Sequence, residues 1–130
     1  MDTNPRLKLA LEAYVDETLS VFREAIGHAD VPLHTYYIFR LLPAKGTTTV
    51  SYLSKQVDGL TDASVTRNLQ ILAGHSKTRK DGGFDLVEYQ EDPKDRRYKL
   101  YSLNSKGRDL RDKMHERGLK RYAQILGSDF

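Results

Sequence analysis

Apolar and small residues recur at intervals of three and four near the start of the chain: Leu7, Leu11, Tyr14, Val15, Thr18, Leu19, Phe22, Ala25 and Ile26. That spacing gathers them on one stripe of a helix reaching about Ala25 or Ile26. Pro5 opens the helix at a first-turn position, and Gly27 and Pro32 close the segment. The stripe either covers the chain's own core or pairs with a second copy, and the pattern does not choose. Leu33 to Leu42 predicts a second, short helix with Leu33, Tyr37, Ile38, Leu41 and Leu42 inward and Pro43 as its stop. Thr47 or Thr48 caps a third helix, Val50 to Val57, with Tyr52, Leu53 and Val57 inward. Asp58-Gly59-Leu60 is a tight turn, and Thr61 then caps a fourth helix over Asp62–Ala73 that Gly74 ends. Its apolar face is Val65, Leu69 and Leu72, with Ile71 flanking.

The period then changes from helix-like to strand-like. Leu86 to Gln90 and Tyr98 to Leu103 have the length and composition of paired strands. Asp92-Pro93-Lys94-Asp95 between them carries turn chemistry, because Pro presets the turn φ and Asp bonds its own backbone. On the second strand Tyr98 and Leu100 share one face, while Lys99, Tyr101 and Leu103 share the other. Asn104 or Ser105 caps a last helix, about Ser105 to Leu126, whose stripe is Leu110, Met114, Leu119, Tyr122, Ile125 and Leu126. Gly107 and Gly118 interrupt and weaken it. The segment from His75 to Phe84 is polar, glycine-rich and basic, hence a loop.

The order is helix, helix, helix-turn-helix, two-stranded wing, helix. The expected fold is mainly α with a small β-hairpin: a winged helix-turn-helix framed by long N- and C-terminal helices. One domain should span 1–130, with framing helices in 1–30 and 105–130, a core in 33–103 and the wing in 86–103.

Charge sharpens this picture. The net charge of +3 is modest, but residues 1–74 hold 7 Lys or Arg against 8 Asp or Glu, whereas 75–130 hold 14 against 10. The tip and return of the hairpin, from Lys94 onward, carry Lys94, Arg96, Arg97 and Lys99 against a single acid, Asp95, and the loop before it carries Lys77, Arg79 and Lys80. A polyanion explains such a cluster better than a solvated surface does. The fourth helix presents Ala63, Ser64, Thr66, Arg67 and Gln70 opposite its apolar face. These residues are small or hydrogen-bonding, as a helix entering a major groove requires. Alone, that face would pass for an ordinary solvated helix; beside the basic hairpin it reads as a recognition helix.

Other classes find little support. The His residues at 28, 34, 75 and 115 form no HxH or HExxH spacing, and no GxSxG or GxxxxGK[ST] occurs. No catalytic residue, metal site or cofactor is expected. With no Cys, no apolar run approaching a membrane span and no signal-peptide core at the start, a cytoplasmic protein is the plain expectation.

TDASVTRNLQIL in the fourth helix and LVEYQEDPKDRRYKLYSLNSKGRDL across the hairpin into the last helix resemble the MarR-type transcriptional regulators. With the helix order before them, the resemblance covers nearly the whole chain. It implies a homodimer whose first and last helices interlock, setting two winged domains on a pseudo-palindromic double-stranded DNA site. It implies that Ala63, Ser64, Thr66 and Arg67 face the major groove. Within Asp95-Arg96-Arg97 it implies that Arg97 reaches the minor groove, that Asp95 orients it, and that Arg96 and Lys94 meet phosphates. Family members are often released from DNA by small aromatic ligands bound near the second helix. That makes His34, Tyr36 and Tyr37 candidate ligand residues, although aromatics at helical spacing are more often core.

The chain departs from the family pattern in the length of the 75–84 loop, whose Lys77, Arg79 and Lys80 add phosphate contacts or belong to a plain insertion. Asn104 stands where Thr is usual, and the chain is short, implying a smaller dimer interface. The competing function is a winged-helix module for protein contact, such as an antirepressor or an assembly factor.

Overall fold

Most helices of the chain begin at a side-chain oxygen that accepts first-turn N–H groups. Asn4 Oδ1 accepts from Arg6 N at 2.9 Å and Leu7 N at 3.4 Å, opening α1 (Pro5–Ala25). Thr49 Oγ1 accepts from Tyr52 N at 3.1 Å, opening α3 (Val50–Ser54). Thr61 Oγ1 accepts from Ser64 N at 3.1 Å, opening α4 (Asp62–Ala73). Asn104 Oδ1 accepts from Gly107 N at 2.8 Å, opening α5 (Ser105–Gly127). Among the described residues, α2 (Leu33–Leu41), entered through Pro32, has no side-chain cap. Strands β1 (Val87–Asp92) and β2 (Asp95–Leu103) form an antiparallel pair. The computed structural model describes residues 4–27, 30, 32–74 and 84–127.

The chain divides into two compact units, one of residues 1–30 and 109–130, the other of residues 31–108. In the second, the core gathers Ile38, Phe39 and Leu42 after and within α2, Leu53 of α3, and Val65, Leu69 and Leu72 of α4. It also takes in Leu86, Val87, Tyr101 and Leu103 of the hairpin. The hairpin root is tied to the end of α4 by backbone bonds. Phe84 N donates to Ile71 O at 3.0 Å, Leu86 N to Leu72 O at 2.7 Å, and Asn104 N to Leu86 O at 3.1 Å. Asp85 takes φ 55 between them, a left-handed conformation that Asp tolerates better than most residues. The Asn104 amide holds it there, donating to the Asp85 carbonyl at 2.9 Å and its carboxylate at 3.2 Å.

In the first unit, Ala10, Thr18, Val21 and Phe22 of α1 and Leu110 and Met114 of α5 are buried. The Tyr14 hydroxyl is hydrogen-bonded to His115 Nδ1 at 2.7 Å, and Arg117 donates to Glu17 at 3.0 Å.

Several expectations are corrected. The third helix is capped by Thr49 rather than Thr47 or Thr48 and ends at Ser54. Thr48 instead pairs with Tyr101, N–H to carbonyl in both directions at 2.8 and 2.9 Å, adding a one-residue third strand to the wing. Tyr52 is exposed. In α2 the buried face is Thr35, Tyr36, Ile38 and Phe39, while Leu33 and Tyr37 are exposed. A helix apolar on nearly every side gives no period from which to choose the inward one. On α1, Leu11 and Val15 are exposed, as is Leu119 on α5.

The glycines of α5 are contact points rather than weaknesses. A Cβ on Gly107 would lie 2.0 Å from Leu86 O, and one on Gly118 would lie 2.7 Å from the Tyr14 ring. Finally, β2 begins at Asp95, so Arg96 and Arg97 lie within the strand, at a bulge where the register shifts.

Candidate nucleic-acid interface

The register of the hairpin sorts its side chains. Val87 pairs with Leu103, Tyr89 with Tyr101 and Glu91 with Lys99, and these pairs share one face; between Glu91 and Asp92 the register shifts, because Asp92 pairs with Asp95, so Arg96, Arg97 and Tyr98 form a bulge on β2. Along the hairpin the character changes from the buried Val87, Tyr101 and Leu103 at the root to the exposed Lys99 and Arg97 toward the tip. Tyr101 and Tyr89 lie with ring centroids 5.8 Å apart, and the Lys99 ammonium sits 4.6 Å from the Tyr89 ring centroid. Burial, and secondarily Tyr89, raises the pKa of the Tyr101 hydroxyl above its ordinary value.

Arg97 is gripped by Asp95 two residues earlier. Its Nε donates to Asp95 Oδ1 at 3.0 Å and its Nη2 to Oδ2 at 2.8 Å, a fork-to-fork pair. The backbone N–H of Arg97 also donates to Oδ1, at 3.1 Å. The Arg97 side chain, and secondarily its backbone N–H, holds the Asp95 carboxyl below its ordinary range, and Asp95 in turn raises Arg97. The Arg97 side chain nevertheless stays 81% exposed, against 32% for Asp95. The carboxylate thus orients a guanidinium that remains open to an external partner.

Arg97 and Lys99 line a cleft shared with α4. A cavity of about 330 Å³ is lined by Thr49, Val50, Ser51, Asp62, Thr66, Arg97, Tyr98, Lys99 and Tyr101. It brings together three residues expected from sequence to meet DNA: Thr66, Arg97 and Lys99. The start of α4 is held against α3 by the Ser54 hydroxyl, which donates to Asp62 Oδ1 at 2.6 Å. Asp62 also suits the positive end of the helix dipole.

The other expected residues are placed separately. Ala63, Arg67 and Gln70 are exposed along α4, and Ser64 is half-buried. Lys94 and Arg96 are exposed at the hairpin tip, Arg96 within the same bulge as Arg97. Lys77, Arg79 and Lys80 lie outside the described residues. On α2, His34 and Tyr37 are exposed, whereas Tyr36 is buried and its ring centroid stands 5.7 Å from the Arg40 guanidinium.

Residues the sequence did not single out also belong to this region. Thr49, Ser51 and Tyr98 line the cleft. Their signal was weak, since hydroxyls at a helix start serve capping equally well. Asn68 is buried on α4 and bonded to Thr35 of α2. A lone Asn inside an otherwise apolar helix face was the one visible sign of it.

Neither a protein-family model nor a curated protein matches the chain. Solved structures do. A ZitR variant from Lactococcus lactis superposes with a TM-score of 0.55 at 24% identity, over 78% of this chain and 64% of that one. BpsR from Bordetella bronchiseptica, in a structure bearing on how 6-hydroxynicotinic acid regulates its DNA binding, superposes with a TM-score of 0.51 at 22% identity. That match covers 95% of this chain and 85% of BpsR. The chain shares their fold. The expected architecture, a winged helix-turn-helix between two long helices, is the one observed, and the MarR-type resemblance holds at the level of the fold. The chain spans about 64% of the length of the ZitR chain. Among the described residues, no helix is long and apolar enough to cross a membrane.

Proposed function

We propose that this chain is a MarR-type, sequence-specific regulator of transcription that binds double-stranded DNA as a cytoplasmic homodimer and acts as a repressor. The observation that carries the reading is the bidentate Asp95–Arg97 pair on the exposed part of the wing. The pair is close to neutral as a unit, so Asp95 adds no attraction for DNA. What it supplies is orientation, fixing in advance rotamers that a free Arg would have to give up on binding. A planar guanidinium held outward suits a narrow A·T-rich minor groove, where the potential is most negative.

In this reading α4 lies in the major groove, with Ala63, Ser64, Thr66, Arg67 and Gln70 toward base edges and phosphates. Lys94, Arg96 and Lys99 meet the backbone, as do Lys77, Arg79 and Lys80 of the loop, and set affinity rather than sequence preference. The exposed apolar side chains of Leu11, Val15 and Leu119 on the long helices are ones that a second copy would cover. Two copies related by a two-fold axis would meet a pseudo-palindromic site. BpsR, whose DNA binding is regulated by 6-hydroxynicotinic acid, supports a small aromatic effector for this chain too. His34 and Tyr37, exposed on α2, are its contact candidates, with the buried Tyr36 behind them.

The test is a fluorescence-anisotropy titration on mixed genomic fragments at two salt concentrations. Binding that falls steeply with salt and retains a tight, sequence-selective class is the expected result. Absence of binding at low salt would remove the reading in favour of a protein-contact module.

A further inference from the structure

The packing of α4 against α2 includes a directional contact. Thr35 of α2 is fully buried and Asn68 of α4 is 4% exposed, and the Thr35 hydroxyl donates to Asn68 Oδ1. The Asn68 amide nitrogen donates back along its own helix to Ser64 O at 2.8 Å, with Ser64 Oγ at 3.5 Å. A chain of bonds therefore runs from α2 through Asn68 into the first turn of α4, where Ala63, Ser64 and Thr66 begin the outward face. The polar atoms of this chain are all partnered; no buried side-chain N or O among the described residues lacks a hydrogen bond.

Every other inward side chain at the middle of α4, Val65, Leu69 and Leu72, is apolar. Apolar contact is close to non-directional, so such a stripe holds a helix against its neighbour without strongly fixing its rotation. A buried hydrogen bond does fix it, because the low dielectric makes its loss costly and its angular range is narrow. The lever is large: side-chain tips lie ~6 Å from a helix axis, so a rotation of roughly 20° displaces them by ~2 Å. That exceeds the tolerance of a base-edge hydrogen bond.

We infer that the Thr35–Asn68 bond sets the rotation of α4 and thereby determines base discrimination, although neither side chain would touch DNA. The inference rests on α4 being the recognition helix. Both residues are positioning residues. They act on base contacts, which need angular precision, and leave phosphate contacts, which tolerate a small rotation, largely unchanged.

The experiment compares Thr35→Val, Thr35→Ser and the double variant Thr35→Val/Asn68→Leu with the wild type. For each, the affinity ratio between the DNA fragment selected by the wild type and a scrambled duplex is measured, with the salt slope and the thermal midpoint. Thr35→Val should lower the ratio about tenfold or more, the effect of losing one good base contact, with the salt slope unchanged. Thr35→Ser, which keeps the hydroxyl, should hold the wild-type ratio. The double variant replaces a polar pair with an apolar one, so it should recover the thermal midpoint and still discriminate poorly. It also decides the matter if Thr35→Val does not fold. A double variant of wild-type stability and wild-type discrimination overturns the inference while leaving the DNA-binding reading intact. A wild type that discriminates nothing removes the DNA-binding reading itself, and this inference with it.

Discussion

The carbonyl oxygen of Leu86 occupies the place where a side chain at residue 107 would have to begin: a Cβ on Gly107 would lie 2.0 Å from it. Leu86 has its N–H committed to Leu72 O and its carbonyl to Asn104 N, so it is held on both sides and has little room to retreat. Gly107→Ala should therefore destabilise the protein by about 1–3 kcal/mol, the usual cost of overpacking, although Ala gains up to about 1 kcal/mol over Gly in a helix. Urea unfolding measures the balance. A variant as stable as the wild type would show that the root of the wing yields.

Gly118 offers the contrasting case. A Cβ there would meet the ring of Tyr14 at 2.7 Å and a Thr18 methyl at 2.9 Å, both side chains rather than backbone. Gly118→Ala should cost less than Gly107→Ala and should break the Tyr14–His115 bond. Loss of that bond is read from the NMR chemical shifts of the His115 ring.

Arg97→Ala should weaken DNA binding by about 1–3 kcal/mol, as removal of a specific contact does, and make the salt slope shallower by about 1. Arg97→Lys should not restore binding, since an ammonium cannot form the fork that Asp95 holds. Arg96→Ala, which removes a phosphate contact, should weaken all sequences alike. Equal effects of Arg96→Ala and Arg97→Ala on sequence preference would refute the distinct role given to the Asp95 clamp.

The clamp also carries a pH signature. Asp95 is held below its ordinary value of 3.8, first by the Arg97 side chain and then by the Arg97 backbone N–H. For a lowered carboxyl, the favourable interaction is present above the ordinary value and is lost as pH falls through the folded one. The carboxyl carbon of Asp95 should therefore titrate below pH 3.8, and Arg97→Ala should return its midpoint toward that value. An unchanged midpoint in the variant would mean that the pair does not persist in solution.

Asn104 serves both the cap of α5 and the strained Asp85, through its bonds to Gly107 N and to the Asp85 carbonyl. Asn104→Ala should cost about 1 kcal/mol for the cap, with any excess reflecting the loss at Asp85. Asn104→Thr should recover the cap alone. Thermal melts of the two variants separate the contributions.

How far the sequence could be read depended on whether a local rule decided each feature. The limits of α4 were legible to the residue, because Thr61 caps it and Gly74, at φ 83, ends it. The start of β2 was read at Tyr98 instead of Asp95, since a run of Asp and Arg does not have strand composition; the turn at Asp92 and Asp95 decided the pairing. The buried face of α2 was misjudged because Thr35 looks like a surface residue. It belongs inside only because Asn68, distant in sequence, offers it an acceptor. In the same way the cations of the wing were visible one by one, whereas the shared cleft of Thr66, Arg97 and Lys99 exists only once the hairpin folds back beside α4.

The pairing of Thr48 with Tyr101 has a mechanical consequence. It clamps the hairpin at the root, where Val87, Tyr101 and Leu103 are buried, and among the described residues no third strand supports the ribbon past it toward the tip. The wing is thus a cantilever: stiff where it is anchored, increasingly compliant toward Lys94. Arg97 rides on the compliant part while keeping its own side chain rigid through Asp95. A mount of that kind can follow grooves of differing width without releasing the orientation of the group it carries.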